Sequence, residues 1–222
     1  MCSFKMNIPV VYEDDWLMIV DKPSGLLVIP TPKKESRTLT TILNDDLKNK
    51  GLSYRLHPCH RLDRETSGLI IFAKGKSIQK KMMDIFRYKK IKKIYIAFVQ
   101  GTLPKNQGRI KTPIEGLSAI TKYKIIQERK DFTVVEISPL TGRTNQIRIH
   151  FKQIGHPIVG ETKYAFRRDF KIKAKRLCLH ACALEFVHPV TKNVISLTTP
   201  LPPDMKNFLE VSGNKCNLIK KK

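Results

Sequence analysis

The sequence predicts an α+β fold with a mixed, largely antiparallel central sheet and flanking helices. Short apolar strand patterns and amphipathic helix patterns both occur, but they do not alternate regularly as in chains built from βαβ units. The chain has 222 residues, which is enough for a real hydrophobic core. Apolar residues make up 41% and charged residues 27% of it, an ordinary composition for a globular protein.

A hairpin and a helix are predicted first along the chain. Apolar residues at 10–12 and 17–20 flank an acidic turn at 13–15, a pattern typical of two antiparallel strands. Apolar residues recur with helical spacing over 38–50, and Gly51 follows as a residue suited to end that helix.

A buried strand and a second helix are predicted next. The segment 68–73 is short, apolar and β-branched, which favours a buried strand. Ser77 is then predicted to cap a helix whose outer face carries many basic residues. The inner face of this helix is apolar: Ile78, Met82, Ile85 and Phe86.

The second half of the chain predicts more strands. Apolar residues indicate strands over 94–99 and 132–138. The segments 177–187 and 194–197 predict a second hairpin around a turn that contains Pro189.

Positive charge dominates the chain, since 42 Lys and Arg stand against 19 Asp and Glu and give a net charge of +23. Basic residues cluster in 74–95, in 163–176 and in the tail. Such clusters are typical of a protein that binds a polyphosphate such as nucleic acid. A solvated cationic surface in a lysine-rich protein fits the composition as well.

Several function classes lose support. No apolar run is long enough to span a membrane, and no secretory signal is present. Five cysteines do not indicate a disulfide framework, so we expect a soluble protein in the reducing cytoplasm. The sequence does not indicate an oligomeric state, and a monomer is the default expectation. Phosphate-binding glycine motifs are absent, and Cys178, His180 and Cys182 alternate along one predicted strand, which suits tetrahedral coordination poorly. We therefore expect no cofactor and no metal.

The segment 60–68 is the densest in chemistry-bearing side chains. Asp63 stands between Arg61 and Arg64, and nearby cations favour the ionised carboxylate. Such a group suits a nucleophile or a base. A carboxylate that caps a turn and pairs with Arg64 fits the same spacing.

The segment 142–150 combines amide and guanidinium donors with the start of a helix. We predict this helix over 144–154, capped by Thr144. Donors at a helix N-terminus can bind an anion, and Arg148 could reach a carboxylate or a phosphate. A solvated basic helix is the alternative.

Tyr95 lies on a predicted strand, where a lone Tyr is more often part of the core.

Together these segments resemble the RluA-type family of RNA pseudouridine synthases. The similar motifs follow one another in order over about residues 9–203: 22–25, 60–68, 93–101, 142–150, 155–158 and 179–189. The resemblance implies the pseudouridine synthase catalytic fold, with a catalytic cleft across the sheet, and isomerisation of uridine in ribosomal or transfer RNA without a cofactor. It also implies base flipping and a catalytic domain over 8–210. A basic tail follows at 211–222. Many members of the family carry a small N-terminal RNA-binding domain, but the first strand predicted here begins near Ile8, so we expect no such appended domain.

The resemblance also assigns roles to individual residues. Asp63 is implied to be the essential catalytic residue, with Tyr95 as the stacking platform and Arg148 paired with Asp63. The residues implied to contact RNA or substrate are His60, Arg61, Leu62, Arg64, Thr66, Lys93, Arg143 and Leu179.

Two positions depart from the family pattern. Asn145 stands where the family commonly has His, and Glu161 follows Gly160 where Asp is usual. Neither departure replaces or touches the proposed catalytic Asp, Tyr or Arg, so we expect effects on fine positioning or substrate choice.

Two rival functions stay open on the sequence. One is a non-catalytic RNA-binding or ribosome-assembly factor on the same scaffold. The other is a nucleic-acid hydrolase that holds a metal with Asp63, Glu65 and Glu161.

Overall fold

The computed structural model describes residues 7–33, 35–165, 172 and 174–212. The chain divides into two compact units. The first comprises Met1–Ile91 and Leu184–Thr199, and the second comprises Lys92–Ala183 and Pro200–Lys222. Within the described ranges, no helix is both long and apolar enough to cross a membrane.

The first unit is an antiparallel sheet with two helices. Its elements are β1 (Val10–Glu13), β2 (Leu17–Lys22), α1 (Leu39–Asn49), β3 (Leu56–Pro58), β4 (Ser67–Lys74) and α2 (Lys76–Arg87). The strand order is β1-β2-β4, and β3 pairs with the far end of β4. The β2–β4 register runs from Leu17 opposite Ala73 to Lys22 opposite Gly68. Lys22 therefore lies where the loop before β4 enters the sheet.

The core of the first unit is formed by the buried strand β4 and by the apolar face of α2. β4 is buried along nearly its whole length, as predicted for 68–73. Met82 of α2 is fully buried, and Ile78, Ile85 and Phe86 pack beside it. The basic residues of α2 are left on its outer side.

The second unit is an antiparallel sheet covered by a short helix. Its elements are β5 (Ile91–Gln100), β6 (Gln107–Ile110), β7 (Thr121–Glu128), β8 (Phe132–Pro139), α3 (Gln146–Gln153) and α4 (Pro203–Val211), in the strand order β5-β8-β7-β6. Tyr95 and Tyr123 both pair with Ile137 of β8, so all three share one sheet face. Phe151 of α3 meets the Tyr123 ring edge-on at 5.8 Å, which places α3 on that face.

The chain passes from the second unit into the first along β9 (Leu179–Val187), and β10 (Val194–Thr198) pairs with it. The turn between these strands is closed by His188, whose backbone N–H donates to the Asn193 carbonyl at 2.8 Å. The Nδ1 atom of His188 accepts from the backbone N–H groups of Val190 and Thr191.

Most predicted elements are confirmed, but two predicted helix caps are wrong. The first helix is capped by Thr38 and is followed by Gly51 at φ +72°, as its pattern indicated. α2 begins after Gly75 and not at a capping Ser77, and no side chain caps it. α3 begins at Gln146, after Asn145 in the left-handed conformation, and not at Thr144. The strands β3, β6 and β7 and the helix α4 were not predicted.

Gly160 fixes the path of the chain in the second unit. Its φ is +80°, and a Cβ atom there would overlap the Arg176 carbonyl oxygen. Gly116 has a similar φ of +73°, but open space surrounds the position of its missing Cβ.

We therefore expect Gly160→Ala to lower the free energy of unfolding by more than about 3 kcal/mol, because strain and steric overlap add. Gly116→Ala is the matched control and should cost only about 1 kcal/mol, the strain alone. Urea unfolding of both variants measures the difference. Equal losses would contradict this account of Gly160.

Candidate active site

The loop that carries Asp63 enters β4 in the first unit. Asp63 is partly exposed, Arg61 and Arg64 are exposed, and Leu62 is buried. The backbone N–H of Thr66 donates to the Asp63 carbonyl at 3.2 Å, which closes a tight turn. The loop thus presents two guanidinium groups and one carboxylate on a folded-back backbone.

A buried lysine fastens this loop. Lys22 is fully buried, and its Nζ donates to the carbonyls of Pro23 at 2.9 Å, Leu26 at 2.7 Å and Arg64 at 3.1 Å. A buried ammonium is tolerated when its donors meet acceptors, and these three carbonyls supply them. The charge therefore ties β2 to the residue that follows Asp63.

Ser24 and Gly25 of the 22–25 segment also form hydrogen bonds to the same loop. The backbone N–H of Gly25 donates to the Arg64 carbonyl at 2.8 Å. The Ser24 hydroxyl donates to the Glu65 carbonyl at 2.6 Å. Since Gly25 has φ +86°, a glycine suits the turn that makes this approach possible.

His60 and Thr66 connect the loop to the sheet interior. The Nε2 atom of His60 accepts from the backbone N–H of Ile71 at 3.0 Å, and its ring lies 4.8 Å from the Phe86 ring. Thr66 is buried, and within the described residues no hydrogen bond reaches its Oγ1.

In the second unit, Lys93 and Tyr95 lie on the same face of β5, since they are two residues apart on one strand. The Nζ atom of Lys93 lies 4.0 Å from the position that a Cβ of Gly142 would occupy. Burial lowers the pKa of Lys93 below its usual 10.5. Among the described residues, no ion pair or hydrogen bond engages its ammonium group.

Arg148 forms a buried ion pair in the second unit. It donates from Nε to Oε2 of Glu161 and from Nη2 to Oε1 of Glu161, both at 2.7 Å. The exposed fractions of the two side chains are 3% and 0%. Such a parallel two-bond pairing fixes the plane of the guanidinium group as well as its position.

Glu161 is held on its other side by backbone donors. The N–H groups of Thr162, Lys163 and Tyr164 donate to Oε1 at 3.0, 2.8 and 3.3 Å. Burial by itself raises the pKa of the Glu161 carboxyl. The hydrogen bonds from Arg148 and from the backbone outweigh burial and lower the pKa below its usual value, so Glu161 is ionised at neutral pH.

Asn145 completes the surroundings of Arg148. Its Oδ1 accepts from Nη1 of Arg148 at 3.3 Å, and its Nδ2 donates to the Tyr164 hydroxyl at 2.8 Å. The guanidinium carbon of Arg148 lies 5.4 Å from the centre of the Tyr164 ring. Asn145 has φ +53°, a conformation that Asn tolerates better than most residues.

The turn before α3 is closed by a glutamine. The Oε1 atom of Gln146 accepts from the Thr141 hydroxyl at 2.6 Å and from the backbone N–H of Arg143 at 3.0 Å. Gln146 thus closes the turn that precedes α3, and within the described residues no side chain caps the helix itself. Arg143 is exposed, and its Nε donates to the Ser118 carbonyl at 3.1 Å.

The sequence model of the family described as RNA pseudouridylate synthase matches residues 16–153. The chain is 35% identical over 209 residues to the dual-specificity RNA pseudouridine synthase RluA of Vibrio cholerae serotype O1, covering 87% of this chain and 82% of that protein. The chain belongs to the RNA pseudouridine synthase family. The resemblance to the RluA-type enzymes is thereby confirmed.

Two further pseudouridine synthases are similar to this chain, one in sequence and one in structure. The ribosomal large subunit pseudouridine synthase C of Buchnera aphidicola is 34% identical over 230 residues, covering 94% of this chain and 71% of that protein. The solved structure of human RNA pseudouridylate synthase domain containing 4 has a TM-score of 0.77 at 22% identity and covers 91% of this chain and 92% of that chain. The α+β prediction with a largely antiparallel arrangement of strands is confirmed.

The expectation for the two departures from the pseudouridine synthase pattern is wrong in one respect. Asn145 and Glu161 were expected not to touch the central Arg, but both accept hydrogen bonds from Arg148. Sequence reasoning therefore missed Glu161 as a site residue, although its departure had marked the position.

The other predicted site residues fall into two groups. Leu62, Thr66 and Leu179 are buried. Exposed ones are Arg61, Arg64 and Arg143; of these, Arg64 pairs with Glu35 at 3.1 Å.

Pairing of Arg148 with Asp63 stays a prediction. Within the described ranges, no three His, Cys, Asp or Glu side chains group as metal ligands.

We expect Lys22→Met to lower the free energy of unfolding by about 3 kcal/mol, because it leaves buried carbonyls without a donor. Lys50→Met is the control, since Lys50 is exposed and its ion pair with Asp46 contributes under about 1 kcal/mol. Chemical denaturation of both variants measures the two losses. A Lys22 variant as stable as the Lys50 variant would contradict the fastening role.

Proposed function

We propose that this pseudouridine synthase isomerises specific uridines of ribosomal or transfer RNA, with Asp63 as the residue that starts the reaction. The isomerisation breaks the bond between C1′ of the ribose and N1 of uracil and forms a bond from C1′ to C5. C5 then releases its proton and N1 takes up a proton, so that substrate and product have the same composition. No electron is gained or lost overall, so the reaction needs no redox partner. The proposed setting is the cytoplasm, with the enzyme as a monomer.

The observation that carries the proposal is the fastened loop in the first unit. Lys22, Ser24 and Gly25 hold the carbonyls of the two residues after Asp63, while Asp63 itself stays partly exposed. A residue that reacts with an entering ligand must be reachable and must be held in place. The loop meets both requirements.

Tyr95 is proposed as the stacking platform and Arg148 as the partner of the Asp63 carboxylate. A uridine must leave its stack before its glycosidic bond can be reached, at a cost of a few kcal/mol. Stacking of the everted base on an aromatic ring returns about 1–3 kcal/mol. A guanidinium beside Asp63 would favour its ionised form.

Affinity for RNA is proposed to come from cations that contact phosphates. The exposed cations of α2 and the turn after it are Lys76, Lys80, Lys81, Arg87, Lys89 and Lys90. Most of the basic cluster at 163–176 and the tail at 213–222 lie outside the described residues. Lys93 is the candidate for a phosphate contact near the reacting nucleotide, because it shares a strand face with Tyr95 and its ammonium group meets no acceptor among the described residues.

The direct test of the catalytic assignment is Asp63→Asn, which keeps the size of the side chain and removes its charge. Purified parent and variant are incubated with total RNA from cells that lack the gene, and pseudouridines are mapped by position. We expect the variant to be slower by about 10³-fold or more with RNA affinity within about twofold of the parent.

Asp45→Asn is the control for charge removal, because Asp45 is an exposed carboxylate on α1 of the same unit. It should modify the same positions at the parental rate. Modification by the Asp63 variant at that rate would overturn the catalytic assignment, and modification by neither variant nor parent would favour the non-catalytic alternative.

For Lys93→Met we expect weaker RNA binding and a more stable protein. Loss of one phosphate contact should reduce the slope of log affinity against log salt by about 1. Removal of a partly buried, unpartnered ammonium should raise the free energy of unfolding. Because the pKa of Lys93 is lowered in the folded state, the parent gains stability as the pH rises toward 10.5, and the advantage of the variant shrinks over that range.

Lys130→Met is the control, since Lys130 is exposed in the turn between β7 and β8. It removes the same charge from the same unit and should change stability by under about 0.5 kcal/mol. Titrations of RNA binding against salt and thermal melts at pH 7 to 10 measure both effects. An unchanged salt slope for the Lys93 variant would refute the phosphate contact.

A further inference from the structure

Arg148 is oriented by partners within its own unit. Its guanidinium has five N–H groups, and Glu161 takes one from Nε and one from Nη2. Asn145 takes one from Nη1. Glu161 and Asn145 together therefore hold three of the five N–H groups.

The carboxylate that sets this orientation is itself immobile. Glu161 has 0% side-chain exposure, and three successive backbone N–H groups donate to Oε1. The residue before it, Gly160, is confined by the Arg176 carbonyl. The position of Arg148 is therefore fixed through Glu161 by the backbone of this turn.

Asn145 adds a second constraint from the other side. It links Nη1 of Arg148 to the Tyr164 hydroxyl and lies in the left-handed conformation directly before α3. The planar guanidinium is thus held through Nε, Nη1 and Nη2, which fixes its plane and its direction.

We infer that Glu161, together with Asn145, is a positioning residue that fixes the plane and the direction of the Arg148 guanidinium for the isomerisation. This inference rests on the proposed function, in which Arg148 acts in the isomerisation. Glu161 and Asn145 act through Arg148 and do not contact the substrate. They affect the rate of the chemical step more than the affinity for RNA.

The test compares the single-turnover rate with RNA affinity. Glu161→Gln keeps the shape of the side chain but places an amide where two oxygens accept hydrogen bonds. We expect a rate loss of about 10²-fold, because misplacement of a catalytic group by about 1 Å has that effect. The dissociation constant for total RNA from cells that lack the gene should stay within twofold.

Asn145→Gly is the second variant and keeps the protein foldable, since Gly adopts a positive φ readily. It removes the contact to Arg148 and should slow the reaction by about fivefold with the same unchanged affinity. If Glu161→Gln does not fold, Asn145→Gly decides the matter alone. Asn145→His, which can still accept a hydrogen bond, should recover most of the lost rate.

Asp14→Asn is the control for lost stability, because Asp14 is also an acid that accepts from two backbone N–H groups and pairs with a buried residue, His188, at 3.1 Å. It should melt at a lower temperature and retain the parental rate. A rate loss in this control as large as that of Glu161→Gln would assign the effect to stability and overturn the inference.

The inference and the proposed function fail in distinguishable ways. If Asp63→Asn is inactive while the Glu161 and Asn145 variants react at the parental rate, the positioning role is wrong and the proposed function stands. If Asp63→Asn is fully active, the proposed catalytic assignment is wrong whatever the other variants do.

Discussion

The structure depends on the rule that a charge removed from water must have its hydrogen-bonding positions filled. Lys22 meets it with three backbone carbonyls, and Glu161 meets it with Arg148 and three backbone N–H groups. One carbonyl that accepts from Lys22 belongs to Arg64, the residue directly after Asp63. One donor to Glu161 is the guanidinium group of Arg148 itself. The energetic requirement of burial thereby produces a rigid placement of Asp63 in one unit and of Arg148 in the other.

Lys93 does not meet this rule. It is partly buried, its pKa is lowered by burial, and among the described residues nothing compensates its charge. A cation left in this condition weakens the folded state but is ready to receive an anion. In the proposed function a phosphate group of the RNA supplies the missing partner, so we expect substrate binding and stability to be coupled at this position.

The sequence predicted those parts of the fold that depend on local signals. The hairpin of β1 and β2, the buried strand β4 and the capped helix α1 each carry their pattern within a few neighbouring residues. The strand β7 was not predicted, because a bulge between Ile125 and Gln127 breaks its alternation of apolar and polar residues. The Arg148–Glu161 pair could not be predicted, since it depends on how the turn at Gly160 folds back beside α3.

The most direct measurement is a structure of the Asp63→Asn protein bound to an RNA that the parent modifies. The account predicts that one uridine is turned out of its stack, with its base against the Tyr95 ring. The C1′ atom of that uridine should lie within contact distance of residue 63, and the Arg148 guanidinium should face residue 63. A target uridine that remains stacked in the RNA, or that is turned out at a place away from these three side chains, would contradict the account.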